Sequence, residues 1–299
     1  MPDAAADASV AHDHTDRTGW LLAVACVAMF SIATPMSKWA IVSGVDPVAL
    51  LPVRMWIGSA LIAGWLLLTA PQRLRMKPRH AALAFLAGAS NGVGMLGYFY
   101  ALTRIDGSIA TMIFATSPLC TLGLLALRGE RVTRLSMARI ALGLLGVWLI
   151  VGPNGRVDLW GAAGVLLSAI TFAWQLAILQ WNLSEADGAA TTLMIVIGMA
   201  SVGTVAFLGV HGLVWQPIGA VGWVTCIVLA IISTWLSRLA LFAAVKRIGS
   251  GQVSMVLPIE TPLAVTWSVL FRGERLNALE VAGGVLILSS ALLRVKRSP

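Results

Sequence analysis

A carboxylate in the middle of an apolar stretch is the first place in this chain where chemistry is expected. Glu260 lies in QVSMVLPIETPLAVTWSVLFRGER, residues 252–275. That run is long enough to cross a bilayer, and an ionisable group at such depth marks a functional site. Pro258 and Pro262 flank it. Each lacks a backbone N–H, so nearby carbonyls are left free to meet a polar ligand, a water or a neighbouring helix. Two readings of Glu260 stand open: a buried partner of Arg54 or Arg238, or a ligand or proton site.

Other polar residues recur at helical spacing inside apolar runs. Ser31, Thr34 and Lys38 share one helical face. Lys38 is either a side chain reaching back to the membrane interface or a member of a cavity. Arg54 lies about two turns inside its run, where it must face protein, water or headgroups. Asn91, Met95 and Tyr98 line one face of a third run whose neighbouring stripe, Ser90, Gly94, Gly97 and Ala101, permits close helix packing. Further along come Trp174 and Gln175, then Trp235 and Arg238 one turn apart. Rings at Trp174 and Trp235 suit an apolar or aromatic ligand, whereas Trp39, Trp160, Trp181 and Trp215 sit at run ends, where tryptophan anchors membrane interfaces.

The elements that must position these groups are membrane helices. Of 299 residues, 58% are hydrophobic and 11% charged, and the mean hydropathy is +0.87. Such a composition defines an integral membrane protein. Ten apolar runs are expected to span, at about 19–42, 47–70, 80–102, 105–127, 135–152, 158–181, 188–210, 218–245, 248–271 and 277–293. Residues 1–18 form a polar tail expected to be a disordered cytoplasmic segment. Its His12-Asp13-His14 is read as part of that tail and not as a metal site. No residue between the runs is left for a soluble domain.

Several function classes are disfavoured. The net charge of +8 and pI near 10.3 come from loop residues that orient a membrane protein, so nucleic acid is not an expected partner. Cys26, Cys120 and Cys226 lie in separate apolar runs without CxxC spacing, which suits neither a disulfide framework nor a metal site. None of Lys38, Lys77, Lys246 and Lys296 follows a glycine, so the phosphate loop of an ATPase is absent from the sequence. No HExxH occurs, and no aspartate lies mid-span to support a hydrolase. We therefore expect no enzyme activity, no cofactor and no metal. The expected partners are a small-molecule substrate and the lipid bilayer, with the chain a monomer or a weak homo-oligomer.

The chain is duplicated. Lys38-Trp39 recurs as Gln180-Trp181, Arg104-Ile105 as Arg247-Ile248, and Pro118 as Pro262. Arg128-Gly129-Glu130-Arg131 recurs as Arg272-Gly273-Glu274-Arg275, all at a nearly constant offset. Two five-helix repeats follow, 19–152 and 158–294, with the strong turn Gly152-Pro153-Asn154-Gly155 between them. Because five is odd, the second repeat must cross in the opposite sense, giving an all-α membrane protein of ten transmembrane helices in two inverted repeats. Placing both termini inside assigns Arg17, Arg73, Arg75, Lys77, Arg79, Arg128, Arg131, Arg134, Arg139, Lys246, Arg247, Arg294, Lys296 and Arg297 to the cytoplasm. Only Arg104, Arg156, Arg272 and Arg275 then lie outside, as the positive-inside rule requires. The loop 184–188, with Glu185 and Asp187 and no basic residue, dissents.

On the duplicated Pro-to-Gly-Glu pattern (Pro118 to Glu130, Pro262 to Glu274), on Arg54 and on the paired halves, the chain resembles the drug/metabolite transporter superfamily, EamA type, over residues 19–294. The resemblance implies a bacterial-type inner-membrane exporter of small metabolites, with amino-acid exporters among the members. It also implies a central cavity lined mainly by spans 1, 3, 4, 6, 8 and 9. Span 2 is outside that set, which gives Arg54 a structural role, and Arg238 is read likewise. Thr261 separates Glu260 from Pro262, a departure from the family's usual acidic residue immediately before that proline. The expected substrate contacts are Thr34, Lys38, Asn91, Tyr98, Trp174, Gln175, Trp235 and Glu260. Lys38, Asn91, Gln175 and Glu260 would meet the ends of a zwitterion while the aromatic rings meet its side chain. The expected function is export of amino acids with large apolar or aromatic side chains by alternating access. The alternatives are an organic-cation or multidrug exporter, or a non-transporting scaffold or receptor subunit.

Overall fold

In hydrocarbon every backbone N–H and C=O must be satisfied within the protein, so apolar runs of this length fold as helices. The computed structural model describes residues 17–127, 134–151, 157–183, 186–214, 218–248, 256 and 259–292. Among these the regular structure is helical, with no strand. Six stretches are long and apolar enough to cross a membrane: Arg17–Val42, Pro47–Thr69, Pro78–Arg104, Leu159–Leu179, Gly188–His211 and Gly219–Leu241. The described residues of the other expected runs form shorter helices. His12 to His14, Arg128 to Arg131, Pro153 to Gly155, Ser184, Glu185, Trp215 and Pro258 lie outside the described residues.

Proline decides where the first stretch breaks. It consists of α1 (Arg17–Ser31) and α2 (Ala33–Val42), because the ring of Pro35 cannot accommodate the helical bond to the carbonyl of Ser31. Next, α3 (Pro47–Thr69) starts where the Asp46 side chain accepts from the Val48 N–H at 2.9 Å. After α4 (Pro78–Arg104), the fourth run is divided into α5 (Gly107–Phe114) and α6 (Ser117–Leu127), with Ala115 and Thr116 between them just ahead of Pro118.

The second half follows α7 (Arg134–Val151). Asp158 caps α8 (Leu159–Asn182) through the Gly161 N–H, and Asp187 caps α9 (Gly188–His211) through the N–H groups of Ala189 and Ala190. The eighth run departs from the single α-helix expected over 218–245. Between α10 (Gly219–Val228) and α11 (Ser237–Ile248), residues Leu229–Leu236 form a π-helical segment. The described helices end with α12 (Glu260–Arg272) and α13 (Ala278–Leu292). Pro262 is the third residue of α12, where a missing N–H forfeits no helical bond.

Packing is centred on α4, which lies along both α8 and α9. Further pairs are α3 with α9, α3 with the π segment, α1 with α11, α6 with α8, α1 with α12, α5 with α12, and α7 with α13. Glycine permits the closest of these. A methyl group on Gly164 would lie 2.5 Å from the carbonyl oxygen of Gly97, so α4 and α8 approach through the stripe that also holds Gly94 and Ala101. At the α7–α13 crossing, Gly146 and Gly283 each occupy the space that a methyl on the other would need, 2.6 Å from carbonyl oxygen.

Candidate functional site

The break at Pro35 turns the first residues of α2 toward α4. Thr34 Oγ1 and the Tyr98 hydroxyl are 2.9 Å apart, and Tyr98 is 3.5 Å from Thr111 Oγ1 on α5. Tyr98 is buried and meets Phe114 edge to face at 5.8 Å, and Phe114 in turn packs on Phe172 of α8. On the other side of the break, the Ser31 hydroxyl donates to the Ala28 carbonyl and accepts from the Trp267 indole N–H of α12 at 3.0 Å. A polar seam with aromatic walls thus joins the first, third, fourth and ninth runs.

Toward the end of that seam, Lys38 is buried and donates to the carbonyls of Leu102 and Ile105, both at 2.7 Å, where α4 ends. A cation there satisfies carbonyls that have no helical partner and complements the negative end of the helix. Glu274 completes the same region from the opposite charge. Its carboxylate accepts from the N–H groups of Gly107 and Ser108 at 3.1 and 2.9 Å and from the Ser108 hydroxyl, capping α5.

Nearer the centre, Asn91 on α4 donates to Gln175 Oε1 on α8 at 2.8 Å, and both side chains are buried. Trp174, the adjacent residue, is 42% exposed and lies edge-on to Trp181, so it points away from that pair. Glu260 is half-buried at the start of α12. Neither Arg54 nor Arg238 lies within ion-pair reach of it among the described residues.

The two arginines lie elsewhere. Arg54 of α3 is 7% exposed and donates to Ser233 Oγ of the π segment at 2.9 Å. Arg238 and Trp235 border a cavity of about 10 Å³ together with Ile62, Trp65, Ala189, Thr192 and Leu239. A larger cavity of about 480 Å³ lies between α2 and α12, lined by Ile32, Pro35, Met36, Trp39, Trp267, Phe271 and Arg272.

Of the expected contacts, the structure brings Thr34 to Tyr98 and Asn91 to Gln175, sets Lys38 at the end of α4, and separates Trp174 and Trp235 from both pairs. The residues not singled out from sequence are Ser108, Trp267 and Ser233, together with the capping role of Glu274. Glu274 carried a signal, the duplicated Arg-Gly-Glu-Arg motif, but its partners lie 166 and 167 positions away.

The chain is similar to known proteins over most of its length. The EamA-like transporter family profile matches the chain twice, over residues 17–152 and 159–295. The pseudopaline exporter CntI of Pseudomonas aeruginosa, in strains UCBPP-PA14 and PAO1, is 26% identical over 94% of this chain and 98% of its own length. An uncharacterized transporter of Archaeoglobus fulgidus is 22% identical over 68% of this chain and 72% of its own. One crystal structure superposes at a TM-score of 0.60 and 16% identity, covering 91% of this chain and 94% of the other, a likeness of fold alone.

Proposed function

The chain belongs to the EamA-like transporter family, and from that premise we propose that it is a secondary exporter of small metabolites, most suited to amino acids with large apolar or aromatic side chains. The observation that carries this reading is the double match of the family profile, one match to each half of the chain. The name of the similar exporter from Pseudomonas supports outward transport. The proposed membrane is the bacterial-type inner membrane, with both termini in the cytoplasm.

Alternating access needs two related halves, and the packing supports ten helices in two inverted repeats, 19–152 and 158–294. Replacing each helix by its counterpart in the other half converts α4 on α8 into α11 on α1. The same exchange turns α4 on α9 into the π segment on α3, and α6 on α8 into α12 on α1. The pairs α3–α9, α5–α12 and α7–α13 convert into themselves. Polar contacts between helix ends agree: Arg73 with Asp187 at 3.7 Å on one face, and Arg104 with Asp158 at 3.2 Å and Asp46 with His211 at 2.6 Å on the other. Asp187 thus gives the acidic loop a basic partner on the side where the repeat places it.

In this proposal Thr34, Tyr98, Asn91, Gln175, Trp235 and Glu260 line the pathway, Lys38 closes its outer end, and Trp174 faces its margin. Glu260, with no basic partner among the described residues, favours one second reading, an organic cation held among aromatic rings. Purified protein in liposomes, loaded with tryptophan and assayed for efflux with and without ATP, tests the proposal. Efflux without ATP, competed by amino acids in preference to organic cations, is expected. Efflux that requires ATP would overturn it. A reporter active only outside the cytoplasm, fused at residue 299 and near His211, should signal only from the latter.

A further inference from the structure

We propose that the seam where α3 and α9 meet the π segment and α11 is an anion site that receives a carboxylate of the transported solute, with Arg54 and Arg238 as its cations. The proposal rests on the transporter reading above and names the substrate class.

Four polar atoms in this seam are buried without a hydrogen-bond partner among the described residues: Arg54 Nε, Thr234 Oγ1, Trp235 Nε1 and Arg238 Nε. Every one of them can donate, and three of the four can only donate. Thr234 belongs with the others because a methyl on Gly58 of α3 would lie 2.9 Å from its Cγ2, one turn along from Arg54. Trp235 and Arg238 share the 10 Å³ cavity with Thr192 of α9. Arg54 reaches Ser233 of the π segment and Arg238 follows that segment by two residues, and neither guanidinium has a carboxylate within 4 Å among the described residues.

Such an arrangement is costly if it is only structural. A buried charge inside a membrane is ordinarily paired, and two like charges in one apolar seam repel. A helix bundle held by polar contacts would balance donors with acceptors, as the Asn91–Gln175 pair and the Lys38 carbonyl contacts do. Here Arg54 meets one acceptor among the described residues, Ser233 Oγ, and the unpartnered atoms named above are cationic and neutral donors. The complementary group is compact, anionic and rich in acceptors, and a carboxylate can take a guanidinium in a bidentate fork.

The π segment supplies the second feature. Leu229–Leu236 carries Ser233, Thr234 and Trp235, and π turns inside α-helices are frequent at functional sites. About 10 Å³ admits one water and not a carboxylate, so entry requires α11 and the π segment to move against α3 and α9. Ligand that binds only the separated arrangement shifts the population toward it, which couples solute binding to the conformational step.

Thermal unfolding of the purified, detergent-solubilised chain tests this without any transport assay. Acetate, phenylacetate and tryptophan are each compared with acetamide, phenylacetamide and tryptophanamide, and chloride is exchanged for isethionate in a separate arm. The expected result is a rise in Tm of about 3–5 °C with phenylacetate or tryptophan at saturation, absent with the amides and lost in Arg54→Gln and Arg238→Gln. Should either glutamine variant fail to fold, Arg54→Lys and Arg238→Lys keep the charge but lose the fork, and a weakened response is expected there. Stabilisation by carboxylate and amide alike, or a full response in both arginine variants, would overturn the proposal. So would a Tm that answers to chloride alone, which would mark the seam as an inorganic-anion site. A protein that binds the carboxylate yet moves no solute defeats only the transporter reading, and one that transports with binding indifferent to both arginines defeats only this inference.

Discussion

Two regions of the molecule bury cations in the membrane interior and treat them differently. At the end of α4, Lys38 is held by the carbonyls of Leu102 and Ile105, and Glu274 closes the adjoining start of α5 through two N–H groups and a hydroxyl. In the seam around the π segment, Arg54 has one hydroxyl partner, and Nε atoms of both Arg54 and Arg238 have none among the described residues. Depth in the membrane does not separate a structural charge from a functional one. The balance of donors and acceptors around it does, because satisfied groups hold helices together and surplus donors wait for an acceptor.

The largest expected stability effect lies in the satisfied region. Glu274→Ala leaves the N–H groups of Gly107 and Ser108 unpaired beneath a side chain that is 5% exposed, and should cost about 3 kcal/mol. Glu274→Gln, which keeps an acceptor oxygen, should cost less than half as much in the same thermal melts. If the alanine variant melts like the wild type, the clasp contributes nothing and the contrast between the regions fails.

Lys38→Met comes next, at about 2 kcal/mol, since two buried carbonyls lose a charged donor. Its carboxylate-dependent rise in Tm should survive at full size. Arg54→Gln should do the reverse: basal stability within about 1 kcal/mol of wild type, because removing an underpaired buried charge offsets the lost bond to Ser233, and transport lowered about tenfold or more. Matching losses of stability and transport in the two variants would erase the distinction. At the small end, Tyr98→Phe should cost about 1 kcal/mol through the Thr34 contact, and Asn91→Ala about 0.6 kcal/mol, the usual size of an interhelical polar bond in membranes.

What was legible beforehand follows the same division. Apolar run length located Pro47–Thr69 and Gly188–His211 almost to the residue, because the bilayer sets helix length and aspartates at positions 46 and 187 mark the starts. Pro35 and Pro118 stand at the breaks in the first and fourth runs, each expected from the sequence as a single span. The π segment carried no such warning: LAIISTWL has no proline or glycine, and its form depends on what packs against it. Lys38 and Arg54 look alike in sequence, each a cation within an apolar run. Their environments differ through backbone carbonyls, which every residue supplies and no residue type signals, and through partners on helices far away in the chain. Asn91 and Gln175 were both expected to face a solute, yet their bond to each other spans 84 positions and is invisible to spacing along one helix.

Solute exchange in liposomes that contain only the purified chain addresses the central claim, that this protein moves small metabolites without ATP. Vesicles preloaded with unlabelled tryptophan, with every ion gradient collapsed, are diluted into a trace of labelled tryptophan. The label should accumulate transiently inside, well above its level in protein-free vesicles, because a carrier that alternates between two faces exchanges one solute molecule for another. Entry no faster than in protein-free vesicles, for tryptophan and for every amino acid and organic cation in the same panel, would contradict the account.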